Sequence, residues 1–309
     1  IPAVLCKGIT VIVYPLLALM NDQMSKLEKA GIDFVCVRGG QTREERAALL
    51  RKLDTGTKIV ITTPESLNHY SVIRNLKSRK ISLFAVDEAH VISQWGKSFR
   101  PAYTALTETV LKLKPHQILA FTATASAKTI KDIRSCLFFS KPLVVRGDAD
   151  RTNIIYSSFP ALNRTQGLID LVKKCEKPAI VFCNTRPDTK ALCIILQAEI
   201  SGTEFRYYNA GLSHEERLAI ENWFLKSEDG VLLATSAYGM GIDKPDIRTV
   251  IHHRLPQNIE EYLQESGRAG RDGEISHAHV IVTFDDMEAP KGYSPLVGIF
   301  TGNTCRRRA

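Results

Sequence analysis

Asp87 and Glu88 stand side by side at the end of an apolar run, Leu83-Phe84-Ala85-Val86. Four apolar residues emptying into two acids predict a buried strand that delivers a carboxylate pair at its C-terminal end. In open α/β sheets that edge is where ligands bind. One carboxylate there can hold Mg²⁺ on a nucleotide while its neighbour orients or deprotonates an attacking water. The alternative for a bare acidic pair is a helix N-terminus, where carboxylates complement exposed N–H groups. Just beyond, Trp95, Phe99, Arg100 and Tyr103 offer three rings and a guanidinium, groups that stack on nucleic-acid bases. At four-residue spacing the rings would share one helix face, where core packing is their ordinary role. Gly96, Lys97, Arg100 and Pro101 argue instead for a loop.

Three further stretches carry chemistry. Thr122-Ala123-Thr124 follows the strand-like Ile118–Phe121 and can hydrogen-bond a neighbouring carboxylate or water, or serve as an ordinary turn and cap. Gln264-Glu265-Ser266-Gly267-Arg268-Ala269-Gly270-Arg271-Asp272-Gly273 holds two arginines three residues apart, each beside a glycine. Such a pattern suits close approach by phosphates, and an arginine reaching a triphosphate stabilises phosphoryl transfer; a solvated basic turn is the plain alternative. Thr235 to Asp243 ends a strand in hydroxyls and glycines, so that Gly239, Gly241 and Asp243 could contact phosphate or ribose, or simply make a strand-to-loop turn. Gly96-Lys97-Ser98 imitates the end of a phosphate-binding P-loop, but Val91 stands where G-x-x-x-x-G-K-[ST] needs its first glycine.

These residues need a scaffold. Strand-like runs Thr10–Tyr14, Phe34–Val37, Lys58–Thr62, Leu83–Val86 and Ile118–Phe121 alternate with helical stretches Leu16–Ala30, Thr42–Leu53 and Ala127–Leu137. After a linker-like Lys141–Thr152, the alternation restarts with Ala179–Cys183, Phe205–Tyr208, Val231–Ala234, Val250–His253 and Ala278–Phe284, and Asn258–Glu265 reads as a helix. Strand–helix alternation predicts an α/β fold, two units of mostly parallel sheet flanked by helices. The 309 residues suffice for two cores, and 44% hydrophobic with 24% charged content excludes disordered and fibrous classes. A net charge of +8 permits a polyanionic partner. Seven cysteines form no C-x-x-C pair, and Cys36, Cys136, Cys183 and Cys193 lie in apolar surroundings, as reduced buried thiols do. No apolar stretch approaches the ~18 residues of a membrane span.

Together these residues resemble superfamily 2 helicases, and within them the RecQ family of DNA helicases. Val13 to Gln23 resembles motif Ia, Thr62-Thr63-Pro64-Glu65 motif Ib, Asp87-Glu88-Ala89-His90 motif II and Thr122-Ala123-Thr124 motif III. Val181 to Arg186 resembles motif IV, Thr235 to Asp243 motif V and Gln264 to Gly273 motif VI. Ser93 to Pro101 is similar to the aromatic-rich loop of the RecQ family.

The resemblance implies two tandem RecA-like domains, 1–146 and 147–285, followed by the start of a zinc-binding region, 286–309, with Cys305 as first Zn²⁺ ligand. It implies ATP and Mg²⁺ in a cleft between the domains. Asp87 would hold the metal, Glu88 would be the hydrolytic base, and Arg268 and Arg271 would reach the γ-phosphate. His90 and Gln264 would link nucleotide to DNA. Pro15, Thr63, Pro64, Gln94, Trp95, Phe99, Arg100, Tyr103, Asn184, Thr185 and Thr235 would lie along the DNA. The implied activity is 3′-to-5′ unwinding of duplex DNA by translocation on a single strand, in repair and recombination, in the cytoplasm of a bacterium or the nucleus of a eukaryote, with no membrane partner. The family's P-loop is expected upstream of Ile1 and three more zinc ligands beyond Ala309, so the chain is expected to be a fragment lacking full ATPase activity. A DEAH-type RNA helicase and a non-catalytic nucleic-acid-binding module are the competing readings.

Overall fold

The computed structural model describes residues 2–15, 17–95, 105–123, 125–147, 150–239, 244–288 and 296–301. The chain divides into two compact units, Ile1–Asp148 and Ala149–Ala309.

The first unit holds five strands: β1 Ile9–Val13, β2 Phe34–Val37, β3 Ile59–Thr62, β4 Ile81–Val86 and β5 Gln117–Ala120. All pair in parallel, in the order β2-β3-β1-β4-β5. The second unit holds β6 Ile154–Pro160, β7 Ala179–Phe182, β8 Phe205–Tyr208, β9 Val231–Ala234, β10 Thr249–His252 and β11 Ser276–Val282, also parallel, in the order β6-β11-β10-β7-β9-β8. With β6 set aside, both sheets run second-third-first-fourth-fifth in chain order. The direction of winding reverses between the first and fourth strands in each, and that is where a doubly wound sheet binds ligands.

The sequence explains the elements. Every residue of β3, β7, β9 and β10 is buried, as expected of interior parallel strands covered on both faces, and β7 and β9 read as continuous apolar runs. Helices Arg43–Arg51 and His214–Lys226 each open with a capping box, Thr42 with Glu45 and Ser213 with Glu216. Phe34–Val37, Phe205–Tyr208 and Val231–Ala234 form with the expected limits, and the other expected strands differ by a residue or two at one or both ends. The strand β6 was not foreseen; it is an edge strand with mixed burial that ends on Pro160, a residue tolerated only where no further ladder bond is needed. The two helices expected around Leu16–Ala30 and Thr42–Leu53 form as Leu17–Lys29 and Arg43–Arg51, the latter passing into a 3₁₀ turn.

Each unit has its own core, Phe84, Val86, Leu76 and Leu106 among the buried residues of the first, Leu168, Val181, Leu196 and Phe224 among those of the second. Leu296 and Phe300 pack with Leu255, Tyr262, Val280 and Val282, which ties the chain after Phe284–Glu288 to the second unit. Among the described residues no helix is long and apolar enough to cross a membrane.

Candidate functional site

In the first unit, β4 delivers its acid pair to the end of the sheet beside β1. The Asp87 N–H donates to Val13 O at 3.0 Å, one step past the last ladder bond, and the Ala89 N–H donates to Phe121 O at 2.8 Å. Between them Glu88 takes a left-handed backbone, φ 48°. A non-glycine residue there costs roughly 1–3 kcal/mol, a strain that recurs at functional sites. Its N–H is held by Asp87 Oδ1 at 3.0 Å. The turn brings Glu88 Oε2 to 3.2 Å from Nδ1 of the buried His90, and the same nitrogen lies 3.1 Å from Thr122 Oγ1. The imidazole nitrogen hydrogen-bonds the hydroxyl, whereas Glu88 Oε2 stands within ion-pair distance of it but is buried without a hydrogen-bond partner, and the stretches expected to be motifs II and III meet there. Burial raises the Asp87 carboxyl above the usual range and the Glu88 charge adds to this, offset in part by the Glu88 N–H and His90. Tyr14 is pushed up to about 12 by burial and by the charges of Asp87 and Asp22.

The other candidates of this unit are placed as follows. Pro15, Thr63 and Pro64 are buried. Thr63 caps the short helix Pro64–Leu67 by accepting from the Ser66 N–H at 3.4 Å, so its side chain shapes the turn after β3. The helix Val91–Trp95 follows the acid pair. The side chains of Gln94 and Trp95, and Phe99, Arg100, Tyr103 and Thr124, lie outside the described residues.

In the second unit Asn184 and Thr185 are exposed at the end of β7, and Thr185 caps the helix Arg186–Glu199 through the Asp188 N–H at 3.3 Å. Thr235 is half-buried at the end of β9, ahead of the 3₁₀ turn Ser236–Gly239. Within that turn Tyr238 is buried, edge-on to Tyr208 at 5.1 Å, and the charges of Arg268 and Arg271 both act on its hydroxyl. The stretches expected to be motifs V and VI are therefore neighbours. The side chain position at Gly239, together with Gly241, Asp243 and Cys305, lies outside the described residues.

The helix Ile259–Ser266 ends at Gly267 and opens the glycine–arginine loop. Gln264 is half-buried, Arg268 is 3% exposed and Arg271 is exposed. Glu265 is buried and bonds His252 at the end of β10, 3.0 Å from its Nε2. The loop is held from behind by Arg151, in the linker-like stretch, and Asn153, just after it. Arg151 donates to Gly267 O (3.2 Å), Ala269 O (3.1 Å) and Gly270 O (2.7 Å), and Asn153 donates to Gly270 O (2.7 Å) and Glu274 O (2.8 Å). Arg248 pairs with Asp272 on the far side. The only signal for Arg151 and Asn153 in the sequence was a polar pair just before an unforeseen strand.

Gly270 has φ 53°, and a Cβ there would lie 2.5 Å from Asn153 Nδ2, 2.5 Å from Ser276 Oγ and 2.6 Å from Glu274 O. Gly270→Ala is expected to destabilise the second unit by about 1–3 kcal/mol, read as a lower midpoint in urea unfolding. An unchanged midpoint would show that the loop can reshape around the methyl group.

Behind the sheet edge, Arg164 donates to His253 O, Ile281 O and Thr283 Oγ1 and pairs with Asp286 at 2.6 Å. Burial, with Arg164 and Arg254 nearby, pushes His253 down to about 4 from 6.5. The folded unit therefore binds fewer protons than the unfolded chain between these values. The stability this contributes is full above pH 6.5 and lost as pH falls toward 4, up to about 3 kcal/mol. His253→Leu should flatten that slope in equilibrium unfolding followed from pH 7 to 4; a slope that stays as steep assigns it to other groups.

Cys6, Cys36, Cys136, Cys175, Cys183 and Cys193 are free. Cys183 and Cys193 are buried as expected, whereas Cys36 and Cys136 are only half-buried. Burial pushes Cys183 up to about 12 and Cys175 and Cys193 up to about 11, which leaves these thiols protonated and inert. Among the described residues no group of three or more His, Cys, Asp or Glu is arranged to hold a metal ion. The β4 end does fit a Mg²⁺ carried on a nucleotide, since that ion takes one or two carboxylates and fills its shell with phosphate oxygens and water.

Comparison with known proteins agrees with this geometry. Residues 2–133 match the DEAD/DEAH box helicase family, and residues 163–273 match the helicase conserved C-terminal domain. The chain is 36% identical over 292 residues to the probable ATP-dependent DNA helicase RecS of Bacillus subtilis, covering 93% of this chain and 58% of that protein. It is 38% identical over 275 residues to the ATP-dependent DNA helicase RecQ of Pasteurella multocida, covering 88% and 43%. The chain thus spans 58% of the first relative's length and less than half of the second's. The fold is that of the DEAD-box helicase Mss116 bound to single-stranded RNA, at a TM-score of 0.69 and 21% identity over 92% of this chain and 62% of that one.

Proposed function

This chain is a homologue of the RecQ-family DNA helicases with DEAD/DEAH box and helicase C-terminal domains, and from that premise we propose that it is the motor of an ATP-dependent DNA helicase that moves 3′-to-5′ along a single strand and unwinds duplex DNA in repair or recombination. The observation that carries the reading is the β4 end. A strained Glu88 stands beside Asp87 at the reversal point of the sheet, its buried Oε2 without a hydrogen-bond partner and 3.2 Å from the His90 nitrogen that bonds Thr122.

In this mechanism Asp87 would hold Mg²⁺. That metal, when bound, neutralises phosphate charge and relieves the cost of keeping Asp87 ionised in its buried place. Glu88 takes a proton from the attacking water. His90 reports the state of Glu88 to Thr122 and, with Gln264, to the bound strand. Arg271 is exposed on a loop clamped by Arg151 and Asn153, and it supplies positive charge to the phosphoryl group in transfer. Arg268, expected with Arg271 to reach the γ-phosphate, is 3% exposed with its charge acting on Tyr238, and in this reading it holds the loop from which Arg271 reaches. Asn184, Thr185 and Thr235 line the strand in the second unit, while Pro15, Thr63 and Pro64 fix the turns that face it in the first. Trp95, Phe99, Arg100 and Tyr103 sense the strand.

Residues 1–146 and 147–285 are the two RecA-like domains of this proposal, and 286–309 begins a zinc-binding region with Cys305 as a ligand. The protein works where cellular DNA is. The 309 residues contain no G-x-x-x-x-G-K-[ST] sequence, so this stretch alone is expected to bind single strands with little ATP turnover, the non-catalytic alternative. Unwinding assays on the full-length protein test the reading. A duplex with a 3′ single-stranded tail should open with ATP, and one with a 5′ tail, or an RNA duplex, should not. Equal unwinding of RNA favours the RNA-helicase alternative.

A further inference from the structure

Between the helices Arg43–Arg51 and Tyr70–Lys77 of the first unit lies a cavity of about 700 Å³. Arg43, Arg46 and Arg74 line it, and no aspartate or glutamate does. Among the described residues none of the three guanidinium groups is paired with a carboxylate, and Arg46 Nε is buried without a hydrogen-bond partner. Of the two acids on the same helix, Glu45 is spent on the cap at Thr42, and Glu44 does not line the cavity. Arg79, one turn beyond the second helix, shows the contrasting arrangement and is matched by Asp54 at 2.5 Å. Three like charges around one hollow repel one another and favour an anion among them.

Two more features identify the anion. Tyr70, at the mouth, is 75% exposed, an aromatic face that packs against nothing which would bury it. Arg43 opens the helix after β2 and Tyr70 opens the second helix after β3, behind Pro64–Leu67, so both begin on the side of the sheet where the strands end, as Asp87 and the Thr63 turn do.

We propose that this cavity is a second binding site for single-stranded DNA, with backbone phosphates on Arg43, Arg46 and Arg74 and a base on Tyr70. The proposal rests on the reading of the chain as a DNA motor. It assigns contacts beyond the motif residues, at a site where arginines supply charge and tyrosine supplies a stacking face that tolerates any base.

The test is binding of fluorescein-labelled oligo(dT) to the full chain across a salt series. Combining Arg43→Gln, Arg46→Gln and Arg74→Gln should lower affinity at low salt at least tenfold. It should also reduce the slope of log affinity against log salt by about 2, roughly 0.7 for each phosphate released from single strands. The corresponding triple lysine variant should keep most of the slope, which separates lost charge from lost fold. Tyr70→Ala should weaken binding several-fold with the slope unchanged. Poly-glutamate at equal charge should compete poorly.

If wild type binds oligo(dT) and the triple glutamine variant binds with the same affinity and slope, the cavity proposal is overturned and the motor reading stands. If wild type binds no single strand at any salt, both fall. Displacement by poly-glutamate as effective as by oligo(dT) also overturns it, because the site is then a general acid-binding patch.

Discussion

Arg271→Ala is expected to cut DNA-stimulated ATP turnover of the full-length protein by roughly 10³–10⁵-fold, the range for removing an arginine that neutralises charge in phosphoryl transfer. The two arginines of the loop differ in what they can do. Arg268 is 3% exposed and lies where its charge acts on the buried Tyr238, so it cannot leave its place without opening the unit. Arg271 is exposed, and the backbone before it is fixed by the bond from Arg151 to Gly270 O. A flexible side chain on a rigid base can reach a ligand without loss of aim. Affinity for ATP should change little, because the charge it meets develops in the transition state. Steady-state kinetics with saturating single strand check this, and a loss below tenfold would reassign the role.

Glu88→Gln is expected to lower the same turnover by about 10²–10⁴-fold, the contribution of a positioned general base. Glutamine keeps the shape of the side chain and can still meet His90, so the substitution isolates proton uptake from the geometry of the turn. Binding of ATP and of single strands should survive. A drop of only a few-fold would mean that Glu88 is not the base, and that the strain at its backbone serves the turn alone.

Much of this site could be read from the chain before its fold was known, for a physical reason. Parallel strands covered on both faces must be continuous apolar runs, and ligand-binding residues must follow them directly. Hence Leu83–Val86 announced Asp87 and Glu88, and Val231–Ala234 announced Thr235. What escaped notice depends on contacts distant in sequence. Arg151 reaches Gly270, 119 residues away, and no local pattern encodes that bond. The strand β6 escaped because an edge strand is only half covered and shows neither a full apolar run nor clean alternation. The arginine cavity escaped too, since Arg43, Arg46 and Arg74 are ordinary surface residues until two helices bring them around one hollow. Thr63 and Pro64 were legible only through the resemblance, as residues along the DNA; both are buried, and Thr63 caps the helix Pro64–Leu67.

The central claim is that a carboxylate pair at the end of β4 spends ATP under the control of a single DNA strand. The most direct test is the ATPase rate of the full-length protein with and without oligo(dT), in wild type and Glu88→Gln side by side. The account predicts a slow basal rate, a large stimulation by the single strand in wild type, and none in the variant despite undiminished strand binding. A wild-type rate indifferent to the strand, or a variant stimulated as strongly as wild type, would contradict it.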